Sequence, residues 1–245
     1  MFLEALTYDC HGVTCKGHLA APAEAKKAKK PGIVIAHAWR GQDDLTRRTA
    51  KELAEIGYVA LAADIYGDGQ TATTDEQATQ LMMPLFIDRT LLRERINAAV
   101  DALKKHPLVD ATNVAAIGFC FGGLTVIELL RSGADVRGVV SFHGVLGNAM
   151  GDNVAKTAPL AKKMHGALLM LHGNDDPLVS ATDFDAIRKE FTKANVDWQM
   201  NIYGHTVHAF TNPAVHDVKG GLAYNEKAAA RSWIAMQNFL NEIFK

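Results

Sequence analysis

Cys120 stands inside Gly118-Phe119-Cys120-Phe121-Gly122-Gly123, where the apolar run "NVAAIGF" meets a helical pattern. A thiol between glycines at a strand-to-helix junction has the outline of a nucleophile turn, with cysteine where serine is usual. Two later segments carry the groups such a nucleophile needs. "HGNDDPLV" supplies Asp175 and Asp176, and "YGHTVHAF" supplies His205 and His208. A helix starting near Phe121 would turn its free N–H groups and dipole toward the sulfur, which favours thiolate. His208 could take the thiol proton and return it to a leaving group, while Asp176 would fix the imidazole tautomer. The N–H of Phe121, with one from the turn after "IVIAHA", would meet a developing oxyanion.

These groups need a scaffold that brings distant segments together. "GIVIAHA" (32–38), "YVALAAD" (58–64), "NVAAIGF" (113–119), "RGVVSFH" (137–143), "GALLMLH" (166–172) and "VDWQMNIY" (196–203) read as strands. The first five are almost wholly apolar, as befits strands covered on both faces of a parallel sheet. Helical patterns alternate with them: Leu45–Ile56, a long segment from Asp75 to His106 that Pro84 should break or kink, Leu124–Arg131, Thr182–Asn195 and Asn225–Phe244. That alternation predicts an α/β fold, a mostly parallel doubly wound sheet with helices on both faces. Residues 1–21 read as a β-hairpin turning at Asp9–Gly12 and leading into the sheet, and no linker divides residues 1–245, so a single domain is expected.

In open parallel sheets, functional side chains gather at the C-terminal ends of the strands. The order cysteine, aspartate, histidine is the nucleophile–acid–base order of α/β hydrolases. The residues alone leave Asp175 competing with Asp176. "GFCFGG", "HGNDDPLV" and "YGHTVHAF", with "DIYGDG" after the fourth strand and "AYNEKAAARSW" before the last helix, resemble the dienelactone hydrolase family of the α/β-hydrolase fold. The resemblance runs from about Pro31 to the C-terminus. It implies Cys120 as nucleophile, Asp176 as acid and His208 as base, with the backbone amides of Trp39 and Phe121 as oxyanion donors. Family members that cleave dienelactone carry a glutamate after the third strand, where this chain has Ala38. They also carry an arginine after the catalytic histidine, where this chain reads "HAFTNP". The implied reaction is therefore hydrolysis of a small ester or lactone, or a thioester, through an acyl-thioester on Cys120, rather than cleavage of dienelactone itself.

Other readings stay open at this level. A retired hydrolase that binds a ligand or partner without turnover is the alternative, and redox sensing by Cys120 ranks below it. Histidines at strand ends (His37, His143, His172) raise a metal site, but the one close pair, His205 and His208, lies in a loop without a helical His-Glu-x-x-His spacing. No metal and no cofactor are expected. His37 is read as ordering the oxyanion turn. Trp39, Arg40, Met82, Met83, Phe86, Phe142 and Phe210 are candidate pocket residues, and the segments Gly67–Pro84 and Gly144–Pro159 are candidate pocket loops. Net charge is −1 among 245 residues, with 22% charged and 48% hydrophobic, so neither nucleic acid nor an acidic membrane is an expected partner. Three cysteines make no complete disulfide set, and no stretch approaches about eighteen apolar residues. A cytoplasmic enzyme acting on a small molecule is the expectation.

Overall fold

The computed structural model describes residues 1–146 and 163–245. Strands β1 (Phe2–Cys10) and β2 (Val13–Ala21) form the N-terminal hairpin, paired from Phe2↔Ala21 to Cys10↔Val13. Its two-residue turn, His11–Gly12, has positive φ at both positions (52° and 82°), which suits the right-handed twist of the hairpin. After a short 3-10 turn come β3 (Lys30–Ala36), α1 (Asp44–Glu55), β4 (Val59–Ala62), α2 (Asp75–Ile87) and α3 (Arg89–Lys105). They are followed by β5 (Val109–Phe119), α4 (Phe121–Arg131), β6 (Gly138–Phe142), β7 (Ala167–Gly173), α5 (Ala181–Lys193) and β8 (Trp198–Tyr203). A small antiparallel pair, β9 (His216–Asp217) and β10 (Leu222–Ala223), precedes α6 (Glu226–Ile243).

Eight strands make one sheet in the order β1-β2-β4-β3-β5-β6-β7-β8. From β4 to β8 every pairing is parallel, and the hairpin joins antiparallel through β2 and β4. Strands β4, β6 and β7 are buried at every residue, because helices cover both faces. On one face the core joins Leu85, Leu92, Leu124, Ile127 and Ile187 of α2, α3, α4 and α5 to the sheet. On the other, Ala50 and Leu53 of α1 and Met236, Phe239 and Leu240 of α6 share a second core with the sheet. The protein thus has the expected α/β-hydrolase architecture, with β3 and β5 at the centre of the sheet.

The long helical segment divides elsewhere than at Pro84. Helix α2 runs through that residue and stops at Ile87, and Asp88 caps α3 by accepting a hydrogen bond from the Leu91 N–H (3.0 Å). A strong N-cap one turn beyond the proline decides the boundary, because it satisfies amides that a continuous helix would have to take inward. The segment Gly67–Pro84 is accordingly helical from Asp75 onward. Of Gly144–Pro159, the part from 147 on lies outside the described residues.

Candidate active site

The turn between β5 and α4 sets the position of Cys120. Its backbone takes φ 55°, ψ −115°, a region that a residue with a Cβ enters only at a cost. Gly118 and Gly122 make the turn possible. A Cβ on Gly118 would lie 2.0 Å from the Gly122 carbonyl oxygen, and one on Gly122 would lie 2.1 Å from that of Ala36. The Cys120 N–H donates to Phe142 O (3.1 Å) and its carbonyl accepts from Gly123 N (2.9 Å), so both neighbouring elements pin the turn. Phe121 is the first residue of α4, where an amide has no intrahelical acceptor. Cys120 itself is half-buried.

The loop after β3 passes the same place. His37 is fully buried, with Nδ1 2.7 Å from Ala38 O and Nε2 accepting from the Ile65 N–H (3.3 Å). Those partners assign the neutral Nδ1–H tautomer, and burial pushes this imidazole's pKa down. The Tyr66 hydroxyl donates to Trp39 O (2.6 Å). The "DIYGDG" segment supports this loop from below: the Asp64 carboxylate accepts from the amides of Lys16, Gly67 and Gly69 (2.8–2.9 Å). His37 therefore ties the turn at Ala38 to the segment that follows β4.

Asp176 and His208 arrive from the ends of β7 and β8. His208 Nδ1 lies 2.8 Å from Asp176 Oδ2, and both side chains are 1% exposed. Against an ionised carboxylate this nitrogen must donate, which leaves Nε2 as the basic one. Asp176 Oδ1 accepts from the Leu178 N–H (2.9 Å). Asp175 is exposed and bonded to the Asn174 amide, and His205 is exposed, so neither reaches this pair. The backbone of His208 is held by Gly221 and by the Ala223 N–H (both 3.0 Å), so the β9–β10 ribbon braces this residue.

Burial opposes charge on His208, but the negative charge of Cys120 and the hydrogen bond to Asp176 outweigh it and push the imidazole up to about 10. Asp176 is likewise desolvated, yet His172 and His208 hold its carboxyl well below the usual carboxylate range. His143, buried with its ring 5.1 Å from that of His208, is pushed far down, first by burial and then by that neighbour. The two adjacent imidazoles are thus pushed in opposite directions, His208 up and His143 down.

Cys120 and His208 line two cavities together. The larger, about 280 Å³, is walled by Trp39, Met82, Phe86, Phe121, Val145, Leu178 and Leu222. The smaller, about 80 Å³, adds Ala38, Asp43, Thr46, His143, Thr211 and Asn212. Of the expected pocket residues, Trp39, Met82 and Phe86 stand in the larger one. Arg40 lines neither: its guanidinium pairs with Asp75 and lies over the Trp39 ring at 5.4 Å. Phe142 and Phe210 line neither as well; at 1% and 0% exposure they are core residues beneath the site. Met83 is also absent from both linings. His172 and His143 are the contributors whose part the sequence left open. Their only sequence signal is that each follows or ends an apolar strand. Among the described residues no group of three or more histidine, cysteine, aspartate or glutamate side chains could hold a metal ion. No helix among them is long and apolar enough to cross a membrane.

Comparison with known proteins identifies the family. A model of the dienelactone hydrolase family matches residues 16–244. A solved structure named m3DLH is 39% identical and superimposes with a TM-score of 0.90, covering 100% of this chain and 99% of its own. A dienelactone hydrolase-like promiscuous phosphotriesterase, P91, from metagenomic libraries is 38% identical at TM-score 0.90, with coverage of 100% and 99%. An Aquifex aeolicus protein carrying carboxymethylenebutenolidase in its name is 26% identical over 99% of both chains. The chain belongs to the dienelactone hydrolase family of α/β hydrolases, enzymes that act on esters or lactones.

Proposed function

We propose that this protein hydrolyses a small ester or lactone, thioesters included, through Cys120, His208 and Asp176. The observation that carries the reading is the convergence of a cysteine on a positive-φ turn with a buried histidine–aspartate pair around one cavity. The Cys120 thiolate adds to the acyl carbon, and the amides of Trp39 and Phe121 receive the oxyanion. Collapse breaks the bond to the leaving oxygen, which takes the proton from the His208 imidazolium, leaving an acyl-thioester. His208, now neutral, accepts a proton from water as that water attacks the thioester. The thiolate then departs, the acid is released, and the cysteine–histidine ion pair is restored.

In this reading the counter-charge to the thiolate is the imidazolium of His208, held by Asp176 at 2.8 Å, rather than a carboxylate on the β3 loop. The larger cavity favours a compact substrate, since about 280 Å³ lies at the lower edge of the roughly 300–1,000 Å³ usual for ligand pockets. A thiol nucleophile with two further unpaired cysteines, Cys10 and Cys15, suits a reducing, cytoplasmic compartment.

The test is a panel of activated esters, lactones and thioesters, with a phosphotriester included because P91 is named for that activity. Wild type is compared with Cys120→Ala and His208→Ala. Turnover in wild type that both substitutions abolish supports the reading, as does loss of rapid iodoacetamide alkylation in His208→Ala. Turnover that survives Cys120→Ala would overturn it. A folded wild type that binds panel members without a burst or turnover would favour a ligand-binding role.

A further inference from the structure

Asp176 is shared between two imidazoles. While His208 Nδ1 approaches Oδ2 at 2.8 Å, His172 Nε2 lies 3.1 Å from the same oxygen, off the direction of a straight hydrogen bond. His172 is the penultimate residue of β7, and Asp176 follows the turn four residues later. Its ring stands edge-on to Phe184 of α5 (4.9 Å, 89°), a contact that keeps it from swinging away.

We propose that His172 is a positioning residue, whose Nε2–H holds Asp176 ionised and turned toward His208. The proposal rests on the triad reading above. A carboxylate oxygen has two lone pairs and can accept from both rings. A carboxylate removed from water needs such donors to stay ionised, and Oδ1 already takes the Leu178 amide. The off-line approach of His172 makes its contact with Oδ2 weaker than the hydrogen bond from His208, so Asp176 remains directed at His208. The titratable groups around the pair are His208, His143 and, beyond His208, Cys120; from α5 the neighbour is the apolar Phe184.

The test separates a donor from a space-filling ring. His172→Phe keeps an aromatic ring against Phe184 and removes the N–H, whereas His172→Gln keeps an N–H within reach. The His208 ring protons, assigned by their loss in His208→Gln, are titrated by NMR alongside the pH profile of ester hydrolysis. A less firmly held Asp176 stabilises the imidazolium less. In His172→Phe the His208 titration and the alkaline limb of kcat/KM should therefore both move to lower pH. The same variant should lose roughly tenfold in kcat with KM unchanged, the scale of one hydrogen bond to a charged group. His172→Gln should restore most of both. An unchanged His208 titration in His172→Phe, or in His172→Leu should the phenylalanine not fold, overturns the proposal. If wild type hydrolyses nothing, the triad reading fails, and the NMR titration still judges His172.

Discussion

Asp176 and His208 are separated by 32 residues in sequence, yet their side chains meet at 2.8 Å with both 1% exposed. A buried carboxylate–imidazole contact of this kind needs both strand ends in place, because neither group would leave water alone. It joins the ends of β7 and β8 beside a cavity that Cys120 also lines.

Asp176→Asn should lower kcat/KM on an activated ester by about 10³-fold or more, because an amide no longer enforces the Nδ1–H tautomer. Asp175→Asn, altering an exposed side chain, should stay within about twofold. Steady-state kinetics of the two variants decides between the adjacent aspartates. Equal losses would remove Asp176 from its assigned part.

The raised pKa of His208 has a consequence for stability. Its folded value, about 10, lies above the ordinary histidine value. The stabilisation is therefore fully present below about pH 6.5 and is lost as pH rises through about 10. Denaturant midpoints measured from pH 6 to pH 10.5 should fall along that window. In Cys120→Ala the fall should be shallower, since the charge that contributes most to raising His208 is gone. Parallel curves for the two proteins would contradict the coupling.

Met82 is half-buried on α2 and lines the larger cavity. Met82→Ala should move the preferred acyl chain longer, with a gain for the longer ester of about 10-fold, the scale of one or two methylenes in an apolar pocket. A series of esters differing only in acyl length reads this directly. An unchanged chain-length preference would place the acyl group elsewhere.

Gly122→Ala should abolish activity and destabilise the fold by about 3 kcal/mol or more, because its Cβ would overlap the Ala36 carbonyl. Gly204→Ala is the control: a Cβ there meets nothing within 4 Å, and a change of under about 0.5 kcal/mol is expected. Chemical denaturation of both variants provides the measurement.

Much of this arrangement was legible in the chain itself. The apolar runs of β3, β4, β6 and β7 marked a sheet covered on both sides, since only full burial tolerates such continuous hydrophobicity. The glycines around Cys120 marked a turn too tight for side chains, and the close carbonyls of Gly122 and Ala36 are the contacts that forbid them. The end of α2 was harder to read, because the Asp88 cap and Pro84 compete within one turn.

Local sequence thus determined the element types, the sharp turn at Cys120 and the chain order of Cys120, Asp176 and His208. Only the tertiary structure decided which side chains share a space. It buried Asp176 and left Asp175 in water, a choice one residue of rotation makes and no local propensity records. It turned Arg40 to Asp75 and sank Phe142 and Phe210 into the core. It also set His172 and His143 beside the Asp176–His208 pair, contacts that span several strands. Proximity between strand ends follows from sheet order, and sheet order is a property of the whole chain's packing.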